Sequence, residues 1–63
     1  MKVEHRHLRA LDYCNKGSRQ FFVRHGFDWS DFLRNGIDVA KFYGTGDAMA
    51  IKAAKLAEAE HGR

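Results

Sequence analysis

The strong nitrogen and sulfur ligands of this chain are His5, His7, Cys14, His25 and His61. His5 and His7 converge only if the segment carrying them is extended. There is no CxxC and no HxxxH pair, and one thiolate with scattered imidazoles is not a zinc signature. No metal and no cofactor is expected. Cys14 and His25 form a nominal nucleophile–base pair, but they lie eleven residues apart on what reads as a single helix. That is roughly 16 Å along the axis, beyond hydrogen-bond reach. Gly44-Thr45-Gly46-Asp47 sits before a helix N-terminus, where an anion could bind. It lacks the preceding strand and the Lys-Ser/Thr pair of a phosphate loop, and Asp47 would repel phosphate. No catalytic residue is expected, and 63 residues leave little room for a substrate pocket of a few hundred cubic ångströms.

What remains is charge. Residues 1–25 carry six Lys/Arg against Glu4 and Asp12, net +4, whereas residues 26–63 carry five against six, net −1. The basic half implies an anionic partner, either nucleic acid or an acidic protein surface. Arg9, Lys16, Arg19 and Arg24 are the candidate contacts. They could reach phosphates without reading bases. A helix-turn-helix over 29–43 would offer only Lys41 and Tyr43 to a groove, with acidic Asp38 and Asp47 on its flanks.

The elements that must position these residues are short. Residues 1–7 alternate, with Val3, His5 and His7 on one side, and read as an extended arm or a strand. Nothing downstream looks like a strand partner, so a strand here would pair with another chain or lie over the surface. From Leu8 the spacing turns helical, with Leu8, Leu11, Cys14, Ser18, Phe21, Phe22 and His25 inward and Lys16, Arg19 and Val23 outward. Gly17 is costly inside a helix. The segment is therefore one helix over 8–25 or an irregular start with the firm helix beginning near Asn15. The cysteine and histidines read as a small buried thiol and as exposed or helix-terminal imidazoles. His25 in a last turn would complement the helix dipole.

Glycine followed by an apolar residue and aspartate recurs at Gly26-Phe27-Asp28 and Gly36-Ile37-Asp38, with a looser echo at Gly44-Thr45-Gly46-Asp47. Each glycine suits a helix end and each aspartate the next N-cap. This predicts helices over 29–35 (Trp29, Phe32 and Leu33 buried), 39–43 (ended by Gly44) and 46–61 (Met49, Ala53, Leu56 and Ala57 inward). Asp31 completes a capping-box-like start and Phe27 faces Phe32 as a staple. Glu58 and Glu60 near a negative helix end predict fraying. The fold class is all-α, a single domain of three or four short helices with an N-terminal arm.

A domain of this length retains roughly 3–5 kcal/mol of net stability, so oligomerisation or docking is natural. One cysteine rules out an internal disulfide, and the chain shows no signal-peptide pattern and no apolar run long enough for a membrane span. A soluble protein in a reducing compartment is expected.

From Cys14 to Ala50 the chain carries CxxGxRxFFxxHGΦDWxxFΦxxGI…TGDAMA, where Φ is a large apolar residue. This string resembles small open reading frames of tailed bacteriophages and prophages. The resemblance supplies no catalytic or ligand residue. It implies a phage origin, with the protein in the host cytoplasm or the virion. Together these readings lead to the expectation of a non-enzymatic phage protein acting through protein–protein contacts, in head or tail assembly or as a host-directed factor. The alternative is a small basic DNA-binding protein.

Overall fold

The computed structural model describes residues 1–61. Seven elements follow in order: β1 (Lys2–Val3), α1 (His5–Ala10), α2 (Asn15–Arg24), α3 (Trp29–Asn35), β2 (Ile37–Asp38), α4 (Val39–Gly44) and α5 (Ala48–His61). The molecule is mostly helical, but not all-α. β1 and β2 pair antiparallel with Lys2 opposite Asp38 and Val3 opposite Ile37, and Val39 N–H donates to the Met1 carbonyl at 3.1 Å. The N-terminal strand thus finds its partner within the chain, in the two residues that also lead into α4. The extended arm is correspondingly short, because α1 begins at His5.

α1 and α2 end by a shared device. Between α1 and α2, Asp12 takes a left-handed φ of 60°. Its N–H bonds Arg9 O and the Tyr13 N–H bonds Leu8 O, both at 3.0 Å. That is the Schellman pattern, which satisfies carbonyls orphaned at a helix end. After α2, Gly26 at φ 69° repeats it, with Gly26 N–H on Val23 O and Phe27 N–H on Phe22 O. Residues 8–25 are therefore two helices broken at Asp12, and Gly17 lies inside the first turn of α2. At the end of α4 the left-handed glycine is Gly46, at φ 69°, not Gly44, which is the last helical residue.

The aspartate caps form as expected. Asp28 Oδ1 accepts from Asp31 N–H, Asp38 Oδ1 from Ala40 N–H, and Asp47 Oδ1 from Met49 and Ala50 N–H. α5 accordingly starts at Ala48.

The core joins Val3, Leu8, Phe22, Phe32 and Phe42 to Ala50, Ala53, Ala54 and Ala57 of α5. Small side chains on α5 let α4 approach closely. The buried stripe of α5 is rotated from the one predicted: Ala50 and Ala54 face in, while Met49 is 56% exposed. Leu33 is likewise half exposed rather than part of the α3 stripe, and Trp29 is half-buried beside Phe22 and Phe32. The end of α5 is tied down, which overrides the unfavourable dipole expected for its glutamates. Tyr43 Oη donates to Glu58, and Arg6 and His7 bond Glu60.

Candidate functional site

α2 presents an outer side exposed to solvent among the described residues. Cys14 is its N-cap, exposed rather than buried, with Sγ accepting the Gly17 N–H at 3.3 Å. A Cβ on Gly17 would stand 3.1 Å from that sulfur, which explains a glycine in a first helical turn. Phe22 is buried and Ser18 and Phe21 half-buried, whereas Lys16, Arg19, Gln20, Val23 and Arg24 are exposed. The exposed residues recur at steps of three and four, so they form one stripe. Val23 near its middle is 79% exposed. The Arg24 guanidinium lies 5.9 Å from the centroid of the Phe21 ring, within range of a cation–π contact.

Beside this stripe runs a groove of ≈ 290 Å³ between α2, the α1–α2 corner and the start of α5. Leu8, Tyr13, Phe21, Phe42, Met49 and Ala50 supply its apolar wall, and Cys14, Gln20 and Arg24 stand along it. Tyr13 Oη donates to Met49 O at 3.1 Å, fastening the corner to α5. Burial, and then the nearby charge of Asp47, raise the Tyr13 phenol above its ordinary pKa. The sequence does not show the groove, because its pattern places Met49 in the core and Cys14 as a buried thiol, whereas both are exposed. Val23, an apolar residue on an outward helical position, signals the exposed stripe rather than the groove.

The other residues singled out from the sequence disperse. Arg9 is exposed on α1 and lines neither groove nor stripe. His25 caps α2 with its ring 4.5 Å from Phe21, and His5 Nε2 bonds Asn15 Oδ1 at 2.9 Å while its ring meets Trp29 edge-on. Among the described residues no three His, Cys, Asp or Glu side chains gather as a metal site. The α4 helix, the would-be reading helix, packs on α5 with Phe42 buried and Tyr43 held to Glu58. It leaves Lys41 as its only exposed cation.

His7 is the largest departure from the expected surface imidazoles, at 2% exposed. Its Nδ1 accepts the Glu4 N–H at 2.8 Å. That nitrogen therefore carries no proton in the neutral ring, and Nε2–H donates to Glu60 Oε1 at 3.1 Å. Nδ1 thus closes the capping box at the start of α1, and Nε2 ties α1 to the end of α5. Arg6 Nη1 donates to the same oxygen at 2.5 Å. Hydrogen bonds from Arg6 and then His7 lower the Glu60 carboxyl below its ordinary value, and the bond to Glu60 raises Arg6.

A carboxyl depressed in the folded state stabilises fully above its unfolded pKa, near 4.5, and loses that contribution as pH falls through the lower folded value. Wild type should therefore melt above Glu60→Gln at neutral pH and converge with it in acid. Thermal melts across pH check this, and curves parallel at every pH would contradict it.

Compared with protein-family models, curated proteins and solved structures, the chain has no significant match. The functional reading therefore rests on the surface itself: a groove with an apolar wall, bordered along α2 by a basic stripe.

Proposed function

We propose that this is a non-enzymatic, phage-type protein that acts through protein–protein contacts, in head or tail assembly or as a small host-directed factor. It would work in the host cytoplasm or the virion. The observation that supports this reading is the junction of groove and stripe, since Gln20 and Arg24 line both. Aromatic and Met wall residues beside Arg are the composition of protein interfaces, and exposed apolar surface rimmed by polar side chains marks interaction sites. Affinity capture with the whole chain as bait, followed by identification of the bound protein, tests it. The double variant Lys16→Glu/Arg19→Glu should lose the partner, and Lys52→Glu/Lys55→Glu on α5 should keep it. Capture indifferent to the α2 reversal would remove this face from the account.

Nucleic-acid binding is the second reading. It is favoured by Lys16, Arg19 and Arg24, none of which meets a carboxylate among the described residues. A ten-residue helix spans about 15 Å, so three cations along it could follow a phosphate backbone. Each phosphate neutralised adds about 0.9 to the slope of log K against log salt. A duplex titration with a slope of about −2 to −3 would support this reading, and no binding at low salt would dismiss it.

A further inference from the structure

Resting on the docking reading, we infer that the α2 face takes an acidic segment of a partner protein carrying one large apolar side chain. That side chain enters the groove, and the carboxylates lie on Lys16, Arg19 and Arg24. At ≈ 290 Å³ the groove is at the bottom of the range for small-molecule pockets, about 300–1,000 Å³, and its wall is dominated by Leu8, Phe21, Phe42, Met49 and Ala50. It suits a side chain better than a polar cofactor.

The flanking charge is net positive, with three cations on α2 against one carboxylate, Asp47. Asp47 is the carboxylate at the groove, and its Oδ1 is occupied by the N–H groups of Met49 and Ala50 at 2.8 and 3.2 Å. The three cations of α2 have no such partners among the described residues. Arg24 also lies over Phe21, so the cationic edge and the apolar wall meet at one point. A nucleic acid would use the cations and leave the groove and Val23 uncovered. An acidic segment with an apolar anchor uses all three, and complementary charge would fix its orientation and speed encounter.

The test uses the full chain and three short fluorescent peptides: one of Glu and Asp around a central Phe, one with that Phe replaced by Ser, and one with its acids replaced by Gln and Asn. A DNA duplex is the fourth probe. Anisotropy should show the acidic Phe peptide binding at least about tenfold more tightly than either altered peptide, a difference of about 1.4 kcal/mol. Arg19→Glu, on an exposed position where folding is untouched, should weaken it similarly. Equal binding of the uncharged Phe peptide would overturn the acidic partner while leaving the groove as a docking site. Failure of every peptide, or tighter binding of the duplex, would overturn the inference. In either case the capture experiment still decides whether the protein docks on a protein at all.

Discussion

Phe22→Ala is expected to leave the chain largely unfolded at 25 °C. Phe22 is 1% exposed, and its ring is met by Phe32 at 4.8 Å, Trp29 at 5.1 Å, Phe27 at 5.6 Å and Phe42 at 6.0 Å between centroids. Those neighbours come from α3, α4 and the corner between α2 and α3, so no single element can move in to fill the void. Truncating a buried Phe costs about 3–5 kcal/mol through lost transfer energy and the cavity left behind. A domain of this size has roughly 3–5 kcal/mol in total, so the two quantities cancel. The helical circular dichroism should collapse, and no urea transition should remain. Val23→Ala, next in sequence but exposed, should shift stability by no more than about 0.5 kcal/mol. A Phe22→Ala protein with an unchanged urea midpoint would mean that the core is elsewhere.

Gly36→Ala should be nearly as damaging, for a different reason. Gly36 follows α3 with φ 74° and ψ −176°, a region open essentially to glycine alone and costing other residues about 1–3 kcal/mol. A Cβ there would also stand 2.8 Å from the Val3 carbonyl oxygen. Relief requires β1 to move off β2, which uncovers Val3, fully buried in the native chain. The combined loss is expected to be about 3 kcal/mol or more. Gly26 is the control: at φ 69° with nothing within 4 Å of its Cβ, Gly26→Ala should cost only about 1–2 kcal/mol. Chemical denaturation of the two variants measures the difference, and equal losses would show that β1 does not lie against Gly36.

These two positions show what can be read from sequence. The recurring glycine and aspartate pairs announce α3, α4 and α5 with their caps because that chemistry is local: a side-chain oxygen meets an amide two or three residues on. The β1–β2 pair is invisible by the same logic. It is two residues against two, far apart in the chain, and Ile37-Asp38 reads as the approach to a helix. The helix from Asn15 is one of the two starts the spacing allows, but the exact break at Asp12 is hidden because the left-handed position is filled by aspartate, one of the few residues that tolerates it. His7 was legible only as a histidine, since its burial depends on Glu60 at the opposite end of the chain. Of the candidate surface, the exposed positions of Lys16, Arg19 and Arg24 are legible in helical spacing and net charge. The groove beside them escaped because Met49 and Ala50 are interchangeable on a short apolar pattern, and a rotation of α5 by one residue decides which of them is exposed.

The proposed docking face is the outer side of α2 with the groove beside it. Amide chemical-shift mapping of the whole ¹⁵N-labelled chain, titrated with the protein partner recovered by capture, tests that claim most directly. The predicted result is perturbation concentrated on Cys14 through Arg24 and on Met49 and Ala50, with the outer positions of α3 and α5 unmoved. Perturbation centred instead on Leu33, Arg34, Lys52 and Lys55 would contradict it.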